Sequence, residues 1–241
     1  MYKGECVLVS SSSGSIEDLT SSFSFLRESR LVLKPDVLLK RRGKLGLVLL
    51  NASWAEVYRH LQQQLNTLYC ADNVEGRLSH FLIEEYFEHS SENEYYIAMR
   101  TKQEGDEILF STKGGVHVGD VETEANKILL HVRPLEEGKD EDIYIPDEQI
   151  NALIKDVTDP EARAVFPCFL RCLYTRFCRL HFAFLEINPF SFDKQNKQFR
   201  ILDVAAKIDR ASDFLCPTAW RGLRPPNPFG RDLTEEELYI R

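Results

Sequence analysis

Residues 182–192 read FAFLEINPFSF and residues 199–209 read FRILDVAAKID. Both are apolar runs broken by single polar residues, and together they predict a closing hairpin of two strands. Asn188 and Asp203 then fall at facing ends of adjacent strands, with Glu186 two positions from Asn188 on the same face. An amide oxygen and a carboxylate aimed at one spot are hard ligands of the kind that suits Mg²⁺, which keeps several waters and bridges few carboxylates to phosphate. Two ordinary polar residues near a turn would read the same way, so the hairpin alone leaves both options open.

A second stretch narrows them. Residues 34–44, KPDVLLKRRGK, carry five positive charges and one acid, whereas the whole chain has a formal net charge of −8. Lys34 lies in a predicted strand, and Arg41, Arg42 and Lys44 flank Gly43, where the backbone can approach a ligand closely. Fixed cations beside free N–H groups on a glycine loop are what a polyphosphate needs. Such a charge run is also what a solvated face looks like, and the pattern is not a Walker loop, since G-x-x-x-x-G-K-[ST] is absent.

Composition excludes other partners. The 241 residues fit one large domain or two small ones. A pI near 5.4 argues against a nucleic-acid or anionic-membrane surface. No apolar stretch approaches the roughly eighteen residues of a membrane span, and the four-residue apolar run near the N-terminus is too short for a signal peptide. The six cysteines show no C-x-x-C spacing and read as reduced thiols, with Cys168 and Cys172 expected as small core residues on one helix face. A soluble protein of the cytosol is expected.

The elements alternate between sheet and helix. A helix is expected from Ser15 to about Glu28, strands over LVLKPD (31–36) and GLVLLN (46–51), and a helix over residues 54–65 capped by Asn51 or Ser53. Strands follow over 79–88, 94–101 and 107–112, the last two joined by a turn at KQEGD, and then over 127–132. The acidic loop 136–142 reads as solvated surface. Helices are expected over 147–157 and from Pro160 to Leu180, the latter kinked or split at Pro167, and the proline-rich tail 220–233 reads as an extended linker.

Taken in order, LVLKPDVLLKRRGKLGL, HFLIEEYFEHSSENEYYI, GGVHVGDV, FLEINP, LDVAAKID and PFGR resemble the nucleotide-binding ATP-grasp region of the ATP-citrate lyase family, from about residue 31 onward. Succinyl-CoA ligase beta chains are similar through EINP and the following Asp-x-x-x-Lys. The resemblance implies an α+β (α/β) ATP-grasp fold, two subdomains enclosing a nucleotide cleft. Residues 1–90 would form the first, with fewer residues before Lys34 than the family has, and 91–215 the second, with 216–241 a linker towards an absent citrate-binding domain.

The cofactors implied are ATP and Mg²⁺. Lys34, Arg42 and Gly43 would meet the phosphates, Glu85 and Phe87 would line the adenine chiefly through the backbone, Glu94 would hold the ribose hydroxyls, and Asn188 and Asp203 would be the magnesium ligands. The family's EPFVPH segment is here Glu84-Glu-Tyr-Phe-Glu-His89, so Glu85 and Glu88 replace two prolines and add negative charge beside a polyanion site, which should lower affinity.

The resemblance further implies that ATP phosphorylates a histidine elsewhere in the assembly, and that citrate is cleaved with CoA to acetyl-CoA and oxaloacetate. None of His60, His80, His89, His117, His131 and His181 lies in a loop resembling that phosphohistidine site. No catalytic residue is therefore expected in this chain, which would need the citrate-binding, CoA-binding and phosphohistidine regions of other domains or a partner subunit. A non-catalytic remnant of the family and a succinyl-CoA-ligase-like beta chain are the alternatives.

Overall fold

The computed structural model describes residues 5–10, 13, 16–39, 42–71, 73–115, 118, 120–131, 143–221, 229–231 and 234–240. Ser15, Lys40, Arg41, His117, the acidic loop 136–142 and residues 222–228 of the tail lie outside them. The described residues divide into two compact units, those of Lys3–Glu88 with Arg224–Arg241, and those of His89–Leu223.

In the first unit, β1 (Cys6–Ser10) leads to two helical turns, α1 (Leu19–Ser22) and α2 (Phe25–Glu28), where one continuous helix was expected. The run LTSSFS is poor in helix formers, and Phe23 is extended at φ −133°, which turns Phe25 and Leu26 into the core. The strands β2 (Leu31–Pro35) and β3 (Leu49–Ala52) follow, then α3 (Trp54–Gln64). Ser53 caps α3, and the Glu56 carboxylate accepts from both the Ser53 amide and hydroxyl at 2.7 Å, an arrangement that contributes about 1 kcal/mol.

A ribbon of β4 (Leu68–Ala71) and β5 (Val74–Arg77) precedes β6 (His80–Glu85). The main sheet runs β1-β6-β2-β3, all antiparallel. Val7, Val9, Leu31, Leu33, Phe81 and Ile83 alternate onto one face, where Val57 and Leu61 of α3 share their core. Residues 229–231 and 234–240 of the tail do not behave as a free linker. Phe229 packs against this core, Gly230 lies so near Gly76 that a Cβ on Gly76 would sit 2.7 Å from the Gly230 nitrogen, and Glu235–Ile240 is helical.

The second unit is built on the antiparallel strands β7 (Glu94–Lys102), β8 (Gly105–Ser111) and, after the short α4 (Val121–Glu124), β9 (Asn126–Leu130). The helices α5 (Asp147–Leu153) and α6 (Pro160–Arg179) come next. The closing segment is three strands where two were expected: β10 (Phe182–Asp193) pairs with β11 (Gln198–Ile201) at one end and β12 (Val204–Ile208) at the other. The sheet order is β11-β10-β7-β8-β9, with β12 also on β10.

Helix α6 is continuous through Pro167. Its buried stripe, Ala162, Phe166, Leu170, Tyr174 and Phe177, holds the helix on the sheet, with the Phe166 ring 5.0 Å from Phe110 and 4.7 Å from Phe199. Cys168 and Cys172 stand two positions off that stripe, about 200° round the helix, and are exposed, not core residues as expected. All six cysteines are free. Among the described residues no helix is long and apolar enough to cross a membrane.

Candidate functional site

Three of the expected site residues, Glu94, Asn188 and Asp203, belong to the second unit, and one irregularity in β10 brings two of them together. Against β7, Ile187 pairs with Ile97 but Phe190 with Tyr95, so β10 bulges at Asn188–Pro189. The bulge keeps Leu185 and Ile187 before it, and Phe190 and Phe192 after it, in one core. On its other side β10 meets the gap between β11 and β12, where the Asn188 amide donates to the Asp203 carbonyl at 3.1 Å and the Leu202 amide to the Pro189 carbonyl at 3.0 Å.

The bulge therefore holds the Asn188 and Asp203 backbones side by side. Asp203 is half-buried, and one of its carboxylate oxygens accepts from the Val204 amide at 3.1 Å. Glu186 is occupied: its Oε1 accepts from the Tyr96 hydroxyl at 2.9 Å. Burial and that carboxylate push the Tyr96 phenol well above its usual range, so it stays a donor.

Glu94 opens β7, directly opposite Ser191. The segment after β8 folds back over it, with the Gly114 amide donating to the Glu94 carbonyl at 2.8 Å. Gly115, at φ +64°, lies against the Glu94 carboxylate, since a Cβ there would be 1.9 Å from Oε2. The Gly115 amide donates to Asn188 Oδ1 at 2.6 Å. His89 Nε2 lies 3.0 Å from Glu94 Oε1, the two side chains 16% and 15% exposed. His89, Glu94, Gly115 and Asn188 thus form one chain of contacts ending beside Asp203.

In the first unit, Lys34 stands on β2 and is buried, its Nζ 2.7 Å from Glu84 Oε2 on β6. Cys6 lies opposite Glu84 on β1. Burial, then Glu84, push the Cys6 thiol up to about 11, with Lys34 opposing. Arg42 begins the turn after β2 and donates to the Pro35 carbonyl at 2.7 Å, so Lys34, Arg42 and Gly43 share the end of that strand. The turn is closed by Gly46 to Gly43 and Leu47 to Arg42 amide–carbonyl bonds, which explains why β3 starts at Leu49 and not at Gly46.

Glu85, at the end of β6, accepts from the Ser29 hydroxyl at 2.8 Å, and the Tyr86 amide donates to the Arg30 carbonyl. The extra charge of Glu85 is thereby tied to its own unit. Phe87 follows as half-buried backbone outside the sheet, and Glu88 is exposed. Glu84, His89 and Gly115 have no role assigned from the sequence. The signal for Gly115 is the GG doublet of a motif already singled out, and for His89 its place five residues before Glu94.

Residues 1–220 match the family model described as the ATP-citrate synthase ATP-grasp domain, and the chain belongs to that family. The ATP-citrate synthase of Mus musculus is 37% identical over 222 residues, which is 92% of this chain and 19% of that protein. A probable ATP-citrate synthase subunit 2 of Schizosaccharomyces pombe is 33% identical over 245 residues, 90% of this chain and 48% of that one. A solved ATP citrate lyase from Methanothrix soehngenii, in complex with citrate and coenzyme A, superposes with a TM-score of 0.78 at 36% identity, covering 99% of this chain and 53% of that one. The chain thus spans between about a fifth and about half of the length of these relatives.

Proposed function

We propose that this chain binds Mg-ATP and presents its terminal phosphoryl group for transfer to a histidine on another domain or subunit. The transfer would serve ATP- and CoA-dependent cleavage of citrate to acetyl-CoA and oxaloacetate. The observation that carries the reading is the Glu94–Gly115–Asn188 chain of contacts, which joins a carboxylate suited to ribose hydroxyls to an amide oxygen suited to a metal.

The donor set fits magnesium. Asn188 Oδ1 spends one lone pair on Gly115 and keeps another, and Asp203, whose carbonyl is bonded to the Asn188 amide, adds a hard carboxylate. Bound there, Mg²⁺ would neutralise phosphate charge. Lys34 and Arg42 supply further positive charge, the Gly43 turn allows close backbone approach, and Glu85 and Phe87 offer backbone to the adenine. The chain's contribution to phosphoryl transfer is positioning and electrostatics, with no nucleophile of its own.

Thermal stabilisation tests this. Mg-ATP at about a hundred times its dissociation constant should add about 2.7 kcal/mol, with metal-free ATP and Mg-GTP weaker. Asp203→Ala should remove most of the magnesium-dependent part, and equal binding of Mg-ATP by variant and parent would sink the assignment. A second reading, a structural remnant of the family that no longer binds nucleotide, is favoured by the Lys34–Glu84 pair, because a carboxylate already holds the ammonium. No stabilisation by any nucleotide is the outcome it expects.

A further inference from the structure

The Glu94 carboxylate is held from two sides, by residues that the resemblance leaves without a role. His89 Nε2 takes one lone pair of Oε1 at 3.0 Å, and Oε2 lies against Gly115, where a methyl group would stand 1.9 Å away. The site is built to exclude any side chain at position 115, and φ +64° disfavours one independently. A glutamate has three side-chain torsions and loses freedom when it must hold one geometry, so fixing it before the ligand arrives removes that cost from binding. A carboxylate offers about four acceptor positions, so one hydrogen bond to His89 leaves enough for two vicinal hydroxyls.

We propose that His89 and Gly115 are positioning residues that set the Glu94 carboxylate for the two hydroxyls of a ribose, so that this unit selects ribonucleotides over 2′-deoxyribonucleotides. The proposal rests on the Mg-ATP reading and adds to it the two residues that make ribose recognition selective. A merely structural His89 would support the fold at the start of β7 and affect both nucleotides alike. A positioning His89 affects most the one that carries the extra hydroxyl.

The test is titration calorimetry of the full chain with Mg-ATP and with Mg-2′-deoxyATP, for the parent, His89→Ala, His89→Gln and Gly115→Ala, each checked for folding by circular dichroism. The parent should prefer ATP by roughly tenfold or more, the effect of one hydrogen bond to a charged group. In His89→Ala the preference should fall to within about twofold of unity, chiefly through weaker ATP binding. His89→Gln, whose amide nitrogen can reach the place of Nε2, should recover a good part of it. Gly115→Ala should lose the preference and, through Asn188, some magnesium dependence.

A parent that binds ATP and 2′-deoxyATP equally overturns the proposal while leaving the Mg-ATP reading standing. So does a His89→Ala variant that keeps the parent's ratio or weakens both ligands by the same factor. A parent that binds neither overturns the Mg-ATP reading itself, which is visible before any variant is made.

Discussion

The two units hold their candidate binding groups by different physical means. In the second, Asn188 is fixed by backbone: a bulge in β10 and, at 2.6 Å, the amide of a glycine at positive φ. In the first, Lys34 is fixed by charge, its ammonium 2.7 Å from Glu84 with only 8% of its side chain exposed. A backbone-fixed group meets a ligand without giving anything up. A charge-fixed group must share its partner, so an anion arriving at Lys34 competes with a carboxylate that is itself one-third exposed and able to turn outward.

The contrast breaks most visibly through the core beneath the backbone-fixed group. Phe166→Ala empties the centre of an aromatic cluster formed with Tyr95, Phe110, Phe190 and Phe199, and should cost about 3–5 kcal/mol. Hydrogen exchange should show protection lost in β7, β10 and α6 while β2 and β6 keep theirs. Equal loss in both units would mean that the second unit is not the one stabilised by that cluster.

The charge-fixed pair gives the next largest effect. Lys34→Met leaves the Glu84 carboxylate without its partner and should cost roughly 1–3 kcal/mol, less than a fully buried pair because Glu84 reaches solvent. Adding Glu84→Gln should recover part of the loss. Denaturant midpoints for the two single variants and the double give the coupling directly, and additive costs would show that the pair contributes nothing beyond its separate contacts.

How far the sequence anticipates this contrast follows from the kind of force at work. Helix α3 is legible because its cap is local, Ser53 with Glu56 three residues on. Strands β2, β7, β8 and β9 are legible because burial leaves an apolar signature, and the Lys34 cluster because its charge is conspicuous. The ribbon β4–β5 is not, since LYCA and VEGR are short and mostly exposed, and neither is the break between β11 and β12, which falls inside one expected strand. Cys168 and Cys172 are misplaced because spacing alone does not say which helix face turns inward. The links from Glu94 through Gly115 to Asn188 join positions 21 and 73 residues apart, and their Gly115 end is backbone, which leaves no mark in the sequence.

Glycines sharpen the comparison at a smaller scale. Gly105, at φ +147°, is the turn glycine of the sequence reading, yet it closes the β7–β8 hairpin and lies where a Cβ would be 2.2 Å from the Leu130 carbonyl oxygen. Gly105→Ala must move β9 as well as strain the backbone, and should exceed the ~1 kcal/mol of a positive-φ alanine. Gly46, at φ +70° in the turn beside Arg42 with nothing within 4 Å, should show only that ~1 kcal/mol. Thermal midpoints rank the two, and a larger loss at Gly46 would contradict the packing seen around Gly105.

The thiols give the mildest probe, since labelling them changes no residue. Burial raises Cys178 to about 12, with Asp106 adding to the shift, and burial with Glu84 raises Cys6 to about 11. Cys178 is then neutral at pH 8, and iodoacetamide should modify it on the order of a hundredfold more slowly than an unperturbed thiol, with exposed Cys70, Cys168 and Cys172 labelled first. Because the folded values are raised, the protonated thiols favour the folded state below the unfolded pKa of about 8.5. That contribution is lost as pH rises through about 11 and about 12, so alkaline unfolding midpoints should fall across this window, and Cys178→Ala should flatten the upper part of the decline in the second unit. Rapid labelling of Cys178 at pH 8 in the folded protein would show that its surroundings do not suppress the thiolate.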